Sequence, residues 1–146
     1  MKKISEEWLK AAKDDLRVAG MIISDEALTH MVAFHSQQCI EKFLKAVMEE
    51  YSIDLVKIHN LERLLEIVKK HVEIDVEIVL IVKMDKLYID SRYPADFDLL
   101  PDGKPDIEDA EEFYYAASRV YEVVKTNLEK TLETNATDGS EIIESV

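Results

Sequence analysis

The stretch FHSQQCIEKFLKAVMEEY, residues 34 to 51, decides the fold of this chain. At about 100° per residue, the apolar side chains of this stretch and its flank gather on one wide face of a helix. That face consists of Val32, Cys39, Ile40, Phe43, Leu44, Val47 and Tyr51. Because the face covers roughly half of the circumference, the pattern predicts the central helix of a bundle, packed against more than one neighbour.

The opposite face of this helix carries an imidazole, an amide, a carboxylate and two ammonium groups within about three turns. These groups belong to His35, Gln38, Glu41, Lys42 and Lys45. The residue types leave two interpretations open. The face is either a solvated surface, where a Glu41/Lys45 pair adds a few tenths of a kcal/mol, or the polar wall of a cleft that accepts an anion.

Patterns on both sides of the central helix predict an all-α, up-and-down bundle of four main helices plus one short helix. Ser5 is predicted as the N-cap of a first helix that ends near Ile23. Asp25 is predicted to cap the central helix, which is predicted to run from Glu26 to about Tyr51 and to be the longest. Asn60 is predicted to cap the short third helix.

The second half of the chain is predicted to add two helices. Asp75 is expected to open the fourth helix, with Val79 on its buried side, and Pro94 to end it. A strand would also suit the β-branched run at 78–82, but the amphipathic pattern continues beyond the length of an ordinary strand. An irregular segment at 95–104 then leads into a fifth helix that begins at Pro105. The domain is predicted to span residues 1–132, and residues 133–146 to form an acidic, disordered tail.

Composition restricts the partners and the compartment. The formal net charge of −13 gives the chain no overall field that attracts a polyanion, so RNA is not expected as a main ligand, although a local basic pocket can still hold one nucleotide. The only cysteine, Cys39, rules out an intrachain disulfide and suits a reducing, cytoplasmic compartment as a small buried hydrophobe. The longest apolar run, residues 78–82, is too short to span a membrane.

The common catalytic and metal-binding motifs are missing from the sequence. The four histidines, His30, His35, His59 and His71, lack the spacing of metal ligands, and no second cysteine is present to complete a zinc site. The chain also lacks a Gly-rich phosphate loop and a Gly-x-Ser-x-Gly elbow. No metal, cofactor or catalytic residue is therefore predicted.

A second polar stretch, Ser91-Arg92-Tyr93-Pro94, follows the predicted fourth helix. Two roles are open for Arg92. A cation at a helix C-terminus is favoured by the helix dipole, which is a structural role. The planar guanidinium is also well suited to grip a carboxylate or phosphate with two hydrogen bonds, and Tyr93 beside it offers a surface for stacking a base.

Three motifs in this order resemble the HEPN domain family (higher eukaryote and prokaryote nucleotide-binding). They are residues 34–46, His59-Asn60-Leu61 and residues 90–94, and the likeness covers residues from about 5 to 130. The resemblance implies an all-α bundle, usually a homodimer, similar to the substrate-binding C-terminal domain of kanamycin nucleotidyltransferase. It also implies a minimal nucleotidyltransferase as partner, in a two-protein complex or a toxin–antitoxin pair. Carried over, the positions that bind a nucleotide or other small anion are His35, Gln38, Glu41, Lys42, Lys45, His59, Arg92 and Tyr93.

Another branch of the same family consists of metal-independent ribonucleases, marked by an Arg followed after four to six residues by His. No arginine of this chain has a histidine at that spacing. The expected function is therefore a non-catalytic nucleotide- or substrate-binding subunit. Two alternatives stay open: a divergent ribonuclease toxin that uses His35 or His59 with Arg92, and a dimeric interaction module without a ligand.

Overall fold

The computed structural model of the chain describes the backbone of residues 1–54, 60–91 and 104–144, and the side chains of residues 1–54, 60–87 and 104–130. His59, Arg92, Tyr93, Pro94 and nearly all of the irregular segment predicted at 95–104 lie outside these residues. Within them the chain forms five α-helices and no strand, which confirms the predicted all-α bundle with one short helix. The helices are α1 (Lys3–Ile22), α2 (Thr29–Glu50), α3 (Leu61–Val68), α4 (Ile78–Ser91) and α5 (Ile107–Glu144).

Helix α2 is the centre of the bundle and contacts each of the other four helices. Its predicted apolar face is confirmed, because six of the seven residues of that face are buried, namely Val32, Cys39, Ile40, Phe43, Leu44 and Val47. Phe43 is fully buried and lies against the ring of Tyr121 on α5, with 5.9 Å between ring centroids. Tyr51, at the end of α2, is half-buried and stacks on His71 at 4.9 Å.

Of the two caps predicted for the middle of the chain, the Asn60 cap of α3 is confirmed, whereas the Asp25 cap of α2 is wrong, because α2 begins at Thr29 without a side-chain cap. The Asp25 carboxylate accepts a hydrogen bond from the backbone N–H of Ala27, and it begins a 3-10 turn, Glu26–Leu28, that leads into α2. The side chain of Asn60 accepts from the backbone N–H of Arg63 at 3.0 Å and caps α3. The four apolar residues predicted for α3 are all buried.

The predicted N-cap of the first helix is wrong. Helix α1 begins at Lys3, and Ser5 is buried inside its first turn. The backbone N–H of Lys2 donates to the carboxylate of Glu50, and the Lys2 ammonium donates to the carbonyl oxygen of Glu49. Because these bonds fasten the start of the chain to the end of α2, the helix can form from its third residue.

Two predictions for α4 are also wrong. The helix begins at Ile78 rather than Asp75, and the side chain of Val79 is 80% exposed rather than buried. The preceding non-helical segment already buries Ile74, and α4 then turns Ile81 and Met84 toward the core. Residues 75–77 are not helical. A rotation of 100° per residue counted from Asp75 therefore does not predict which side of α4 faces the core.

Helix α5, with 38 residues, is the longest helix of the described chain, whereas α2 has 22, so the predicted order of lengths is wrong. After Pro105 the sequence contains no proline, and its next glycine is Gly139, so no strong helix breaker occurs in the first 32 residues of α5. The backbone of α5 continues through Glu144, into the segment predicted as a tail. The predicted division of the chain at residue 132 stays a prediction. Among the described residues, no helix is long and apolar enough to cross a bilayer.

Candidate functional site

The polar face of α2 contacts charged and aromatic side chains of α1. The five predicted α2 residues and one carboxylate of α1 form the group that we call the α2 polar cluster. Its members are Asp15, His35, Gln38, Glu41, Lys42 and Lys45. The interpretation of this face as a freely solvated surface is wrong for Glu41, which is only 4% exposed.

Asp15 holds one half of the cluster together. One of its carboxylate oxygens lies 2.9 Å from Nδ1 of His35, and the other lies 2.5 Å from Nζ of Lys42. His35 and Lys42 are seven residues apart on α2, so two helical turns place them on the same face. When Nδ1–H donates to Asp15, the other ring nitrogen, Nε2, is an acceptor in the neutral imidazole and a donor in the imidazolium.

Sequence analysis missed Asp15, although a signal for it was present. Trp8, Ala12, Asp15 and Ala19 follow the spacing of one helical face, and Ala12 and Ala19 on that face are fully buried. A carboxylate in a buried stripe needs a cation or a donor, because an isolated charge is costly to bury. The sequence alone did not show which residue supplies it.

Glu41 organises the other half of the cluster. The Gln38 amide donates to Glu41 Oε2 at 3.1 Å, and the Lys45 ammonium lies 3.4 Å from Glu41 Oε1. Lys45 also lies over the ring of Trp8 on α1, 5.3 Å from its centroid, within cation–π range. Both lysines therefore hold fixed positions against α1.

The α2 polar cluster is close to neutral, since Asp15 and Glu41 balance Lys42 and Lys45. The side chains of Lys42, His35 and Lys45 keep 28%, 20% and 16% of their surface accessible. An anion arriving at this surface meets donors that are already oriented, and it shares them with the two carboxylates.

A second carboxylate missed by sequence analysis connects α4 with the start of α3. The buried side chain of Asp85 accepts from the backbone N–H of Leu61 at 2.9 Å and of Glu62 at 3.3 Å. Burial raises the pKa of the Asp85 carboxyl above its ordinary value, against the effect of these hydrogen bonds, and the charges of Glu62 and Glu41 raise it further. Asp85 is thus close enough to sense Glu41 of the α2 polar cluster.

The structure brings together the five predicted residues of α2. His59 precedes the Asn60 cap of α3, and Arg92 follows Ser91 at the end of α4. Because His59, Arg92 and Tyr93 lie outside the described residues, their place beside the α2 polar cluster stays a prediction.

Cysteine and metal chemistry find no support in the described parts of the chain. Cys39 is fully buried, and this burial strongly raises the pKa of its thiol, as expected for a small core hydrophobe. In those parts of the chain, no group of three or more His, Cys, Asp or Glu side chains is placed to hold a metal ion.

Asp15→Ala is expected to lower the free energy of unfolding by about 1–2 kcal/mol, because His35 and Lys42 lose a charged acceptor at a partly buried site. The measurement is urea unfolding followed by circular dichroism. Asp14→Ala makes the same change of charge at an exposed neighbour and is expected to cost less than about 0.5 kcal/mol. Equal losses for the two variants would show that the contacts of Asp15 contribute nothing specific.

Comparison with known proteins places this fold in context. The sequence profile of the HEPN domain matches residues 5–127. The crystal structure of ST0689, an archaeal HEPN homologue, is 28% identical with a TM-score of 0.63, and the match covers 86% of this chain and 98% of that chain. The crystal structure of TT1696 from Thermus thermophilus is 26% identical with a TM-score of 0.66 and the same coverage of both chains. No curated protein matches the sequence.

Proposed function

Because this chain belongs to the HEPN domain family, we propose that it is a non-catalytic subunit that binds a nucleotide or similar small anionic substrate. Its partner in this proposal is a minimal nucleotidyltransferase, which carries out the chemistry in a two-component, toxin–antitoxin-like system. The subunit acts as a homodimer in the cytoplasm. A reducing compartment agrees with its single buried thiol, Cys39.

The α2 polar cluster is the observation that carries the proposal. Its two lysines and its imidazole are held by carboxylates at 2.5–3.4 Å and still have accessible surface. Donors fixed in this way lose little conformational entropy when a ligand binds, which favours affinity for a small molecule. The near-neutral charge of the cluster favours a ligand with a few negative charges over a nucleic acid polymer.

The proposal adds His59, Arg92 and Tyr93 to the same site. Asp85 supports this grouping, because it lies on α4 seven residues before Arg92 in the sequence and bonds to the first residues of α3, next to His59. In the proposed site the Arg92 guanidinium grips a phosphate through two hydrogen bonds, and the Tyr93 ring stacks on the base. Lys42 and the imidazolium form of His35, whose Nε2–H is a donor, hold the remaining phosphate oxygens.

Calorimetric titration with ATP and GTP tests the binding function. The expected result is saturable heat with at least one nucleotide, and an affinity roughly tenfold weaker in Lys42→Met and in Arg92→Ala, since each variant removes a charge-assisted contact. Lys70→Met changes the charge equally at an exposed position and is expected to bind normally. Absence of heat with every nucleotide would overturn the proposal in favour of a dimeric interaction module without a ligand.

A ribonuclease toxin is a second candidate, favoured by one contact. Asp15 orients the imidazole of His35 at 2.9 Å, an arrangement that suits a general base. Degradation of RNA by the purified protein, lost in His35→Ala, would support this candidate over the binding subunit. Intact RNA after prolonged incubation would exclude it.

A further inference from the structure

A groove between α1 and α5, on a surface apart from the α2 polar cluster, combines lysines with apolar side chains. Its volume is about 270 Å³. Helix α1 supplies Leu9, Lys10 and Lys13, and helix α5 supplies Tyr121 and Lys125. Helical spacing explains the arrangement, because residues 9, 10 and 13 share one side of α1 and residues 121 and 125 lie one turn apart on α5.

The three groove lysines, Lys10, Lys13 and Lys125, have no carboxylate partner among the described side chains. The lysines of the α2 polar cluster provide the contrast, because both Lys42 and Lys45 are paired with carboxylates. The positive charge in the groove is therefore available to a ligand.

The apolar side of the groove is part of the packed bundle. Leu9 packs against the main core, and Tyr121 is only 7% exposed, with its ring against Phe43. Burial raises the pKa of the Tyr121 hydroxyl above its ordinary value, against the opposing effect of Lys125, so the hydroxyl is a neutral donor at physiological pH. A ligand in the groove thus meets a packed apolar surface beside ammonium groups on long side chains.

Two glutamates, Glu6 and Glu129, also line the groove. Counting side chains alone, the three lysines and two glutamates leave a local net charge of +1. This small excess disfavours a polyanion, whose binding depends on many neutralised phosphates. It favours a compact ligand with one anionic group, and the volume lies slightly below the roughly 300 Å³ where typical small-molecule pockets begin.

We propose that this groove binds a small organic phosphate, with its phosphoryl group among the three groove lysines and its apolar portion on Leu9 and Tyr121. The inference goes beyond the proposed function, because the groove shares no residue with the α2 polar cluster. The two sites can therefore be tested separately.

Phenyl phosphate is a suitable probe, because it combines a phosphoryl group with a flat apolar ring. In a titration followed by amide NMR, saturable shifts are expected at residues 9–13 and 121–125. Phenyl phosphate is expected to bind roughly tenfold more tightly than inorganic phosphate or phenol alone, since it uses both features of the groove. Shifts that do not saturate, or that spread evenly over the surface lysines, would overturn the proposal.

Charge variants complete the test. Lys13→Gln with Lys125→Gln is expected to weaken phenyl phosphate binding at least tenfold. Lys69→Gln with Lys70→Gln removes the same charge from the exposed end of α3 and is expected to leave the affinity unchanged. Equal weakening in both double variants would mean that binding depends only on the overall charge of the protein, and this result would reject the site. ATP binding that depends on Lys42 is expected to persist in the groove variant, so failure of one proposal does not affect the other.

Discussion

Phe43→Ala is expected to lower the free energy of unfolding by about 3–5 kcal/mol, the largest single effect that we predict for this chain. Phe43 is fully buried at the centre of α2 and packs against Tyr121 of α5. Its removal loses the transfer free energy of the ring and leaves a cavity that the surrounding helices fill only in part. The measurement is unfolding in guanidinium chloride, with the denaturant slope compared between variant and wild type.

Val79→Ala is the matched control for this prediction. Val79 belongs to α4 and is 80% exposed, so its truncation is expected to change stability by less than about 0.5 kcal/mol. Phe43→Leu, which keeps most of the apolar volume, is expected to fall between the two. A loss below about 1 kcal/mol for Phe43→Ala would contradict the position of this ring in the core.

Asp85→Ala is expected to lower the free energy of unfolding by about 2–4 kcal/mol. The substitution leaves the buried backbone N–H of Leu61 and the part-buried N–H of Glu62 without their acceptor, and a buried unpaired group costs about 1–3 kcal/mol. Asp85→Asn keeps one acceptor oxygen and is expected to lose less. Asp75→Ala changes the charge equally at an exposed position and is expected to have little effect.

The stability contributed by Asp85 is also expected to depend on pH. Burial raises the pKa of this carboxyl in the folded state, so between the unfolded and the folded pKa the folded protein binds more protons than the unfolded chain. The contribution of the group is fully present below its unfolded pKa, about 3.9, and is lost as pH rises through the folded pKa.

The difference in unfolding free energy between wild type and Asp85→Asn isolates this term, because the other carboxylates are common to both proteins. As pH rises from about 4, the wild type is expected to lose unfolding free energy relative to Asp85→Asn. A difference that is flat with pH, or that moves in favour of the wild type, would contradict the raised pKa of Asp85.

Helical periodicity predicted much of the fold because it is a local property. The apolar face of α2, the Asn60 cap of α3 and the all-α class each depend on residues within a few positions of one another, and all three are confirmed. Two of the wrong predictions, the starts of α1 and α4, concern points where a distant contact changes a local preference. The hydrogen bond from Lys2 to Glu50 allows α1 to begin before Ser5. Ile74 is buried ahead of α4, and the side of α4 that faces the core therefore differs from the predicted one.

The same distinction holds for the candidate site. The sequence by itself determined that His35, Gln38, Glu41, Lys42 and Lys45 share one face of α2, because the rotation per residue of an α-helix is fixed by its backbone. Only the tertiary structure decided which groups neutralise that face. Asp15 reaches His35 and Lys42 across 20 and 27 positions of sequence, a distance closed by the packing of α1 on α2 rather than by local geometry.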